Sequence, residues 1–410
     1  MIKLHLVPGK SQQSTGIEVP LHRRAHLSDI LAKYLLQKYG RERYGRPAVN
    51  SRRVVLVGRG GYDEHDPEFM PNPTAQECEA TLVARDLGIR DLPELQPILD
   101  YTLKVDHFGQ GKAVLKFGRL VELMYDVYPD EPWRVERWAE VLIQASIEAR
   151  RENVDALQPD LVVYPLIRRA HAEVSREFEP PVREKLEEIL ATLAVTVAVQ
   201  PFGLPFSVGL LWWKFRNLPD AEQSASVVAW IADALRAELT RQREFLAAQQ
   251  DYEKGRDFSM TVSGEEIVGI GVLSDNRLIH SYLFHEIDWI AVAAVRRSNG
   301  NVQIFRKPRA KVNLELWSVA VQTRAREQVK VGEPVSSWPE LVSQRGPQGA
   351  AQRWFFHHAT QNLYNGSLTA EAEPTALTDE EIRECIVRGL DDEYLPFRRQ
   401  FYLERGGEVR

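Results

Sequence analysis

The sequence predicts an α/β protein: a mostly parallel-sheet N-terminal domain, a helical middle segment and a smaller α+β C-terminal domain. Three observations predict this. An apolar run, Val54-Val55-Leu56-Val57, stops at Gly58-Arg59-Gly60-Gly61 and lies between stretches of helical spacing. Residues 112–255 carry apolar positions at helical spacing over most of their length. From Phe258 short strand-like runs return, one of them followed by the hairpin signal Ser298-Asn299-Gly300. At 410 residues the chain exceeds one comfortable core, and the boundaries are expected at 1–111, 112–255 and 256–410.

Each element has its own warrant. Residues 1–20 read as an irregular lead-in. His26-Leu27-Ser28-Asp29 opens a helix whose apolar positions are Ile30, Leu31, Tyr34 and Leu35, with Lys38 and Gly40 as stop signals. The strand at Val54–Val57 follows. Pro67, Pro71 and Pro73 mark a loop, and Thr74-Ala75-Gln76-Glu77 has the capping-box pattern for a helix through Asp86. A second helix over about Leu95–Leu103 runs into Val105-Asp106-His107. Trp133–Arg150, Val182–Leu193 and Ala221–Phe245 are the clearest middle helices. Strands are expected at Ile267–Val272, Trp289–Val295 and Val302–Phe305, and a helix at Leu314–Glu327. Thr378-Asp379-Glu380-Glu381 is a second capping box, for a helix to Arg388 with Gly389 behind it.

Composition excludes several classes. With 44% hydrophobic and 27% charged residues the chain is ordinarily globular, and its net charge of −6 argues against coating duplex DNA by overall charge. Cys78 and Cys385 lie far apart, so no disulfide partner is expected, and the lack of a signal-peptide pattern at Met1-Ile2-Lys3-Leu4 points to the cytoplasm. Ile189 to Trp213 contains no Asp, Glu, Lys or Arg. Gln200, Pro201, Gly203 and Pro205 split it into halves of ordinary buried length, so a membrane span is not expected.

The chemistry-bearing residues cluster early. Asp63, Glu64 and His65 follow the glycine cluster, Asp106 and His107 repeat the carboxylate–imidazole pairing, and His26 with Asp29 precedes the strand. Carboxylates and imidazoles at strand ends suit a divalent ion, Mn²⁺ or Mg²⁺ before Zn²⁺; the same residues also serve as turn and helix-cap residues. Arg59 offers a cation to a phosphate, although its glycine spacing is not that of a P-loop. Arg296, Arg297 and Arg306 flank the C-terminal hairpin with Phe305 between them, a pattern that fits a nucleic-acid backbone or a charged sheet edge.

The order of these features resembles the DHH superfamily of metal-dependent phosphoesterases and exonucleases. His26-Leu27-Ser28-Asp29 is similar to its opening motif, Leu56-Val57-Gly58 stands at its Asp-Val-Gly triplet, Asp63-Glu64-His65 resembles its Asp-His-His triplet, and Asp106 matches a later Asp. The likeness covers the first 110 residues and, more loosely, 258–380. It implies a metal-dependent phosphoesterase or nuclease in which Asp29, Asp63, Glu64, His65 and Asp106 bind metal, while His26 and His107 assist catalysis. Expected partners are a nucleotide, single-stranded nucleic acid or a second copy of the chain. Ser28, Leu56 and Glu64 replace two carboxylates and an imidazole of the pattern, so the alternative is a degenerate relative that binds nucleotide, nucleic acid or protein without hydrolysis.

Overall fold

The computed structural model describes residues 17–44, 53–57, 62, 77–108, 113–154, 162–195, 200–308, 310–366 and 372–405. The chain divides into two compact units, Met1–Gln242 and Arg243–Arg410, the division falling inside helix Asp220–Tyr252.

The first unit is helical, which corrects the expected parallel-sheet domain. Among the described residues its only strands are β1 (Ile17–Glu18) and β2 (Arg53–Val54), paired in parallel, and Val57 adds a single bridge to Tyr62. Burial gives the reason. Val55 and Val57 are buried, but Val54 and Leu56 are 58% and 44% exposed, so the run lays only one side on the core. A central strand of a parallel sheet is covered on both faces.

Helices supply the rest. Helix Pro132–Arg151 starts with proline at its first position, where the missing N–H costs nothing, and buries Val135, Trp138, Ala139, Leu142 and Ile143 along one stripe. Trp138 stacks on Trp230 of helix Asp220–Tyr252 with ring centroids 4.3 Å apart and planes 4° from parallel. Each indole N–H donates to the other residue's carbonyl, at 3.2 and 3.1 Å, so neither buried donor is left unpaired. Helix Glu79–Asp86 is capped by Cys78, whose N–H donates to Thr81 Oγ1 at 2.8 Å. That places the start after the expected Thr74 cap, whose residues 74–76 lie outside the described residues. The apolar stretch falls into helices Pro180–Val195 and Leu204–Lys214, and no helix among the described residues is long and apolar enough to cross a membrane.

The second unit holds a six-stranded mixed sheet. Its strands are β3 (Arg256–Val262), β4 (Glu265–Leu273), β5 (Ile290–Arg296), β6 (Val302–Arg306), β7 (Phe355–His357) and β8 (Asn362–Asn365), in spatial order β3-β4-β5-β6-β8-β7. Only β4 and β5 run parallel. Val292 and Ala294 of β5 join one core with Trp354 and Phe356, while Ala293 and Val295 join another with Ile279 and Leu283. The β5–β6 turn needs Gly300 at φ 87°, where its N–H donates to Arg297 O at 2.9 Å. Arg324, fully buried, donates to the carbonyls of Leu341, Ser343, Gln344 and Trp354, and burial pulls its pKa down to about 10.

Helix Asp379–Leu390 begins at Thr378, which exchanges bonds with Glu381: Glu381 N–H to Oγ1 at 3.2 Å, and Thr378 N–H to Oε2 at 2.9 Å. The Thr378 amide holds the Glu381 carboxyl at about 2 against the opposing effect of burial, with Lys330 and Arg326 adding to it. A depressed carboxyl contributes stability that is complete above its ordinary value near 4.5 and is lost as pH falls toward 2. Glu381→Gln is therefore expected to flatten the acid limb of the unfolding midpoint below pH 4.5 and leave the neutral slope unchanged. An unaltered acid limb would contradict this.

Candidate metal centre

The segment His22-Arg23-Arg24-Ala25-His26 turns at Arg23-Arg24 and enters helix Leu27–Tyr39 through the extended cap residue His26, at φ −74° and ψ 172°. Leu27, Ile30, Leu31 and Leu35 bury the inner face, which fixes the helix on the core. Asp29, in the first turn, folds back, and its Oδ2 accepts the His26 N–H at 2.8 Å. The same oxygen lies 3.0 Å from His22 Nε2. One ligand atom from each of His22, His26 and Asp29 falls within 4.8 Å of the others. Asp29 is 1% exposed while both imidazoles are exposed, so the carboxylate is recessed behind a rim of two rings. The rings sit edge to face at 5.6 Å.

Neighbouring charges hold the segment down. Arg23 reaches Asp130 at 3.2 Å and the Pro129 carbonyl at 3.1 Å, and Arg24 pairs with Asp126. Such exposed pairs contribute little stability singly, but together they fix where the two histidines emerge. Buried Tyr125 lies alongside: burial raises its hydroxyl pKa, and the Glu136 and Asp29 carboxylates raise it further. Ser28 Oγ is buried with no hydrogen-bond partner among the described residues. A buried hydroxyl left without a partner is a place where an ordered water or ion would complete the hydrogen bonding.

The group contains His26 and Asp29 but not Asp106 or His107. Those two sit exposed at the end of helix Gln96–Phe108, where His107 Nε2 donates to the Glu77 carbonyl. Glu77 is buried and accepts from Arg85 at 3.1 Å and Arg90 at 2.6 Å. The adjacent Cys78 thiol is pushed up to about 12, chiefly by burial, with the Asp106 carboxylate adding to it; at neutral pH it is a protonated, unreactive thiol. Arg59, Asp63, Glu64 and His65 lie outside the described residues.

The three C-terminal arginines are occupied inside their own unit. Arg297 is 7% exposed and donates to the carbonyls of Ser274 and Asn276 and to Gln303 Oε1. Arg296 bonds Asp379 and the carbonyls of Gly300 and Leu377. Arg306 bonds the carbonyls of Thr360 and Leu314. Guanidiniums spent on loop carbonyls hold loops in place and have few donors left for a phosphate.

Sequence reasoning missed His22. The motif that drew attention starts at His26, and a histidine four residues earlier, outside any helix, carries no periodic signal. The His-x3-His-x2-Asp spacing was the available clue.

No protein family matches this chain, and no curated protein does. A solved structure of an uncharacterized protein from Helicobacter pylori G27 aligns over 93% of this chain and 84% of its own, at 10% identity and a TM-score of 0.17. A superposition that loose identifies neither fold nor function, so the chemistry of the site rests on this chain's own residues.

Proposed function

We propose that this chain is a divalent-metal-dependent phosphoesterase acting on a nucleotide or nucleic-acid phosphodiester, with His22, His26 and Asp29 as its metal centre. The observation that carries the reading is the convergence of two exposed imidazoles on a buried carboxylate within 4.8 Å. The relation to the DHH superfamily rests on the motif residues, of which His26 and Asp29 fall in this group, and not on the fold of the first unit. Two nitrogen donors and one oxygen donor suit Mn²⁺ better than Mg²⁺, which favours oxygen shells. A divalent ion held by these residues would supply Lewis acidity, lowering the pKa of a water and offsetting charge on a phosphoryl group. Asp29, fixed by the His26 amide, orients His22, and both imidazoles stand where a substrate can reach them. Asp63, Glu64 and His65 are the further ligand candidates.

A second reading has its own support. Leu56, 44% exposed where the family pattern has Asp, cannot ligate, and Ser28 brings a hydroxyl in place of a carboxylate. Fewer carboxylates favour one ion over two, and with one ion a binding role without turnover.

Elemental analysis of protein grown with added Mn²⁺ separates these readings. About one ion per chain is expected, with affinity falling roughly 10–100-fold or more in His22→Ala while the far-ultraviolet spectrum stays unchanged. Chelator-sensitive hydrolysis of a dinucleotide supports the esterase. Bound metal without turnover supports the second reading, and near-zero metal overturns the metal centre and the esterase while favouring binding without hydrolysis.

A further inference from the structure

In the second unit, helix Trp317–Lys330, helix Asp379–Leu390 and the end of helix Leu395–Glu404 enclose a groove of about 210 Å³. It is lined by Arg326, Arg388 and Arg405 against one carboxylate, Glu384, with Val329 and Phe401 forming apolar wall. The spacing explains the convergence. Arg326 and Val329 share one face of their helix, Glu384 and Arg388 are four apart on theirs, and Phe401 precedes Arg405 by four.

Three guanidiniums around one small space repel each other, and the surrounding acids neutralise them only in part. Glu381 Oε1 is shared between Arg326 at 3.3 Å and Lys330 at 3.0 Å. Arg388 has no carboxylate within 4.0 Å among the described residues and only approaches the Tyr394 ring, at 6.0 Å. Arg405 stacks on Phe401 at 3.9 Å; among the described residues its nearest carboxylate is its chain neighbour Glu404 at 3.8 Å, and its Nε is buried without a hydrogen-bond partner. A buried guanidinium N–H without an acceptor is costly, and the complementary group is an oxyanion with several acceptor oxygens. Three cations against one lining carboxylate match a dianion better than a monocarboxylate. The volume falls below the roughly 300 Å³ of a drug-sized site, so the ligand is small.

We propose that this groove binds a phosphate group, free or carried as the monoester of a small molecule whose apolar part lies on Phe401 and Val329. The proposal concerns the second unit alone and stands whether or not the first unit binds metal.

The test is calorimetric titration of the full chain, stripped of metal with chelator, with phenylphosphonate, which resists hydrolysis, and with inorganic phosphate. Saturable one-to-one binding is expected. Arg388→Gln, an exposed position, should weaken it at least tenfold, and Arg405→Gln likewise, while Arg383→Gln, paired with Glu380 on the same helix, should leave it intact. Phenylphosphonate binding more tightly than phosphate supports the monoester, and equal affinity supports free phosphate as the ligand. Absence of saturable binding, or binding indifferent to both Arg388→Gln and Arg405→Gln, overturns the proposal.

Discussion

Glu327→Ala is expected to cost the second unit about 3–5 kcal/mol of unfolding free energy, because it leaves buried partners uncompensated. Glu327 is 0% exposed. Its Oε1 accepts from Arg353 at 3.3 Å and the Ala376 N–H at 2.8 Å. Its Oε2 accepts the Trp354 indole N–H at 3.4 Å and the Thr375 hydroxyl. One carboxylate on helix Trp317–Lys330 thus ties the 350–354 turn to the 373–377 segment, beside the bonds that Glu333 makes to Ala350 and Asn365 to Thr375. Arg353 keeps the Pro374 carbonyl at 2.9 Å and Glu373 at 2.7 Å after the change, so part of its charge remains paired. Urea unfolding read by near-ultraviolet dichroism would register both the midpoint and the packing of Trp354. A loss below about 1 kcal/mol would mean that the network relaxes onto water. Glu327→Gln should fall between, because an amide accepts through one oxygen only.

The second large effect is at Asp29. Asp29→Ala removes the carboxylate from the metal centre and the acceptor of the His26 N–H together, so bound metal should vanish and stability should fall by about 0.5–2 kcal/mol for the lost cap. Asp29→Asn keeps an oxygen for the cap and removes the charge. Its expected signature is near-normal stability with metal affinity down roughly tenfold or more. Equal Mn²⁺ binding by Asp29→Asn and the unaltered chain would reduce Asp29 to a helix cap and sink the metal reading. The two variants together separate the structural work of this residue from the chemical work.

Local signals were legible. The Thr378 box opens a helix where expected, Ser298-Asn299-Gly300 makes the hairpin turn, and β4, β5 and β6 lie within two residues of the runs Ile267–Val272, Trp289–Val295 and Val302–Phe305. Caps and hairpins depend on residues three or four apart, so the chain states them directly. Gly389 shows the limit of that reading. It resembles a helix stop, yet it lies within helix Asp379–Leu390, where a Cβ would come within 2.8 Å of the Val319 Cα. The glycine permits two helices to approach, a requirement that no local pattern records.

The candidate site divides the same way. The residue types for metal chemistry could be read from His26 and Asp29, because ligand chemistry belongs to the side chain itself. That His22 completes the group, that Asp106 and His107 lie outside it, and that Arg297 is committed to loop carbonyls depend on which distant segments pack together. The largest divergence has this origin too. Val54–Val57 has strand propensity, but a parallel sheet requires partner strands from elsewhere in the chain, and among the described residues Ile17–Glu18 is the one strand alongside, with a single bridge from Val57 to Tyr62. Neighbours along the chain were enough for the Thr378 cap, the Ser298–Gly300 turn and the kinds of ligand available, because each depends on residues a few positions apart. Tertiary structure alone decided the number of strand partners and the membership of the site, because both are long-range contacts whose free energy depends on the whole packed unit.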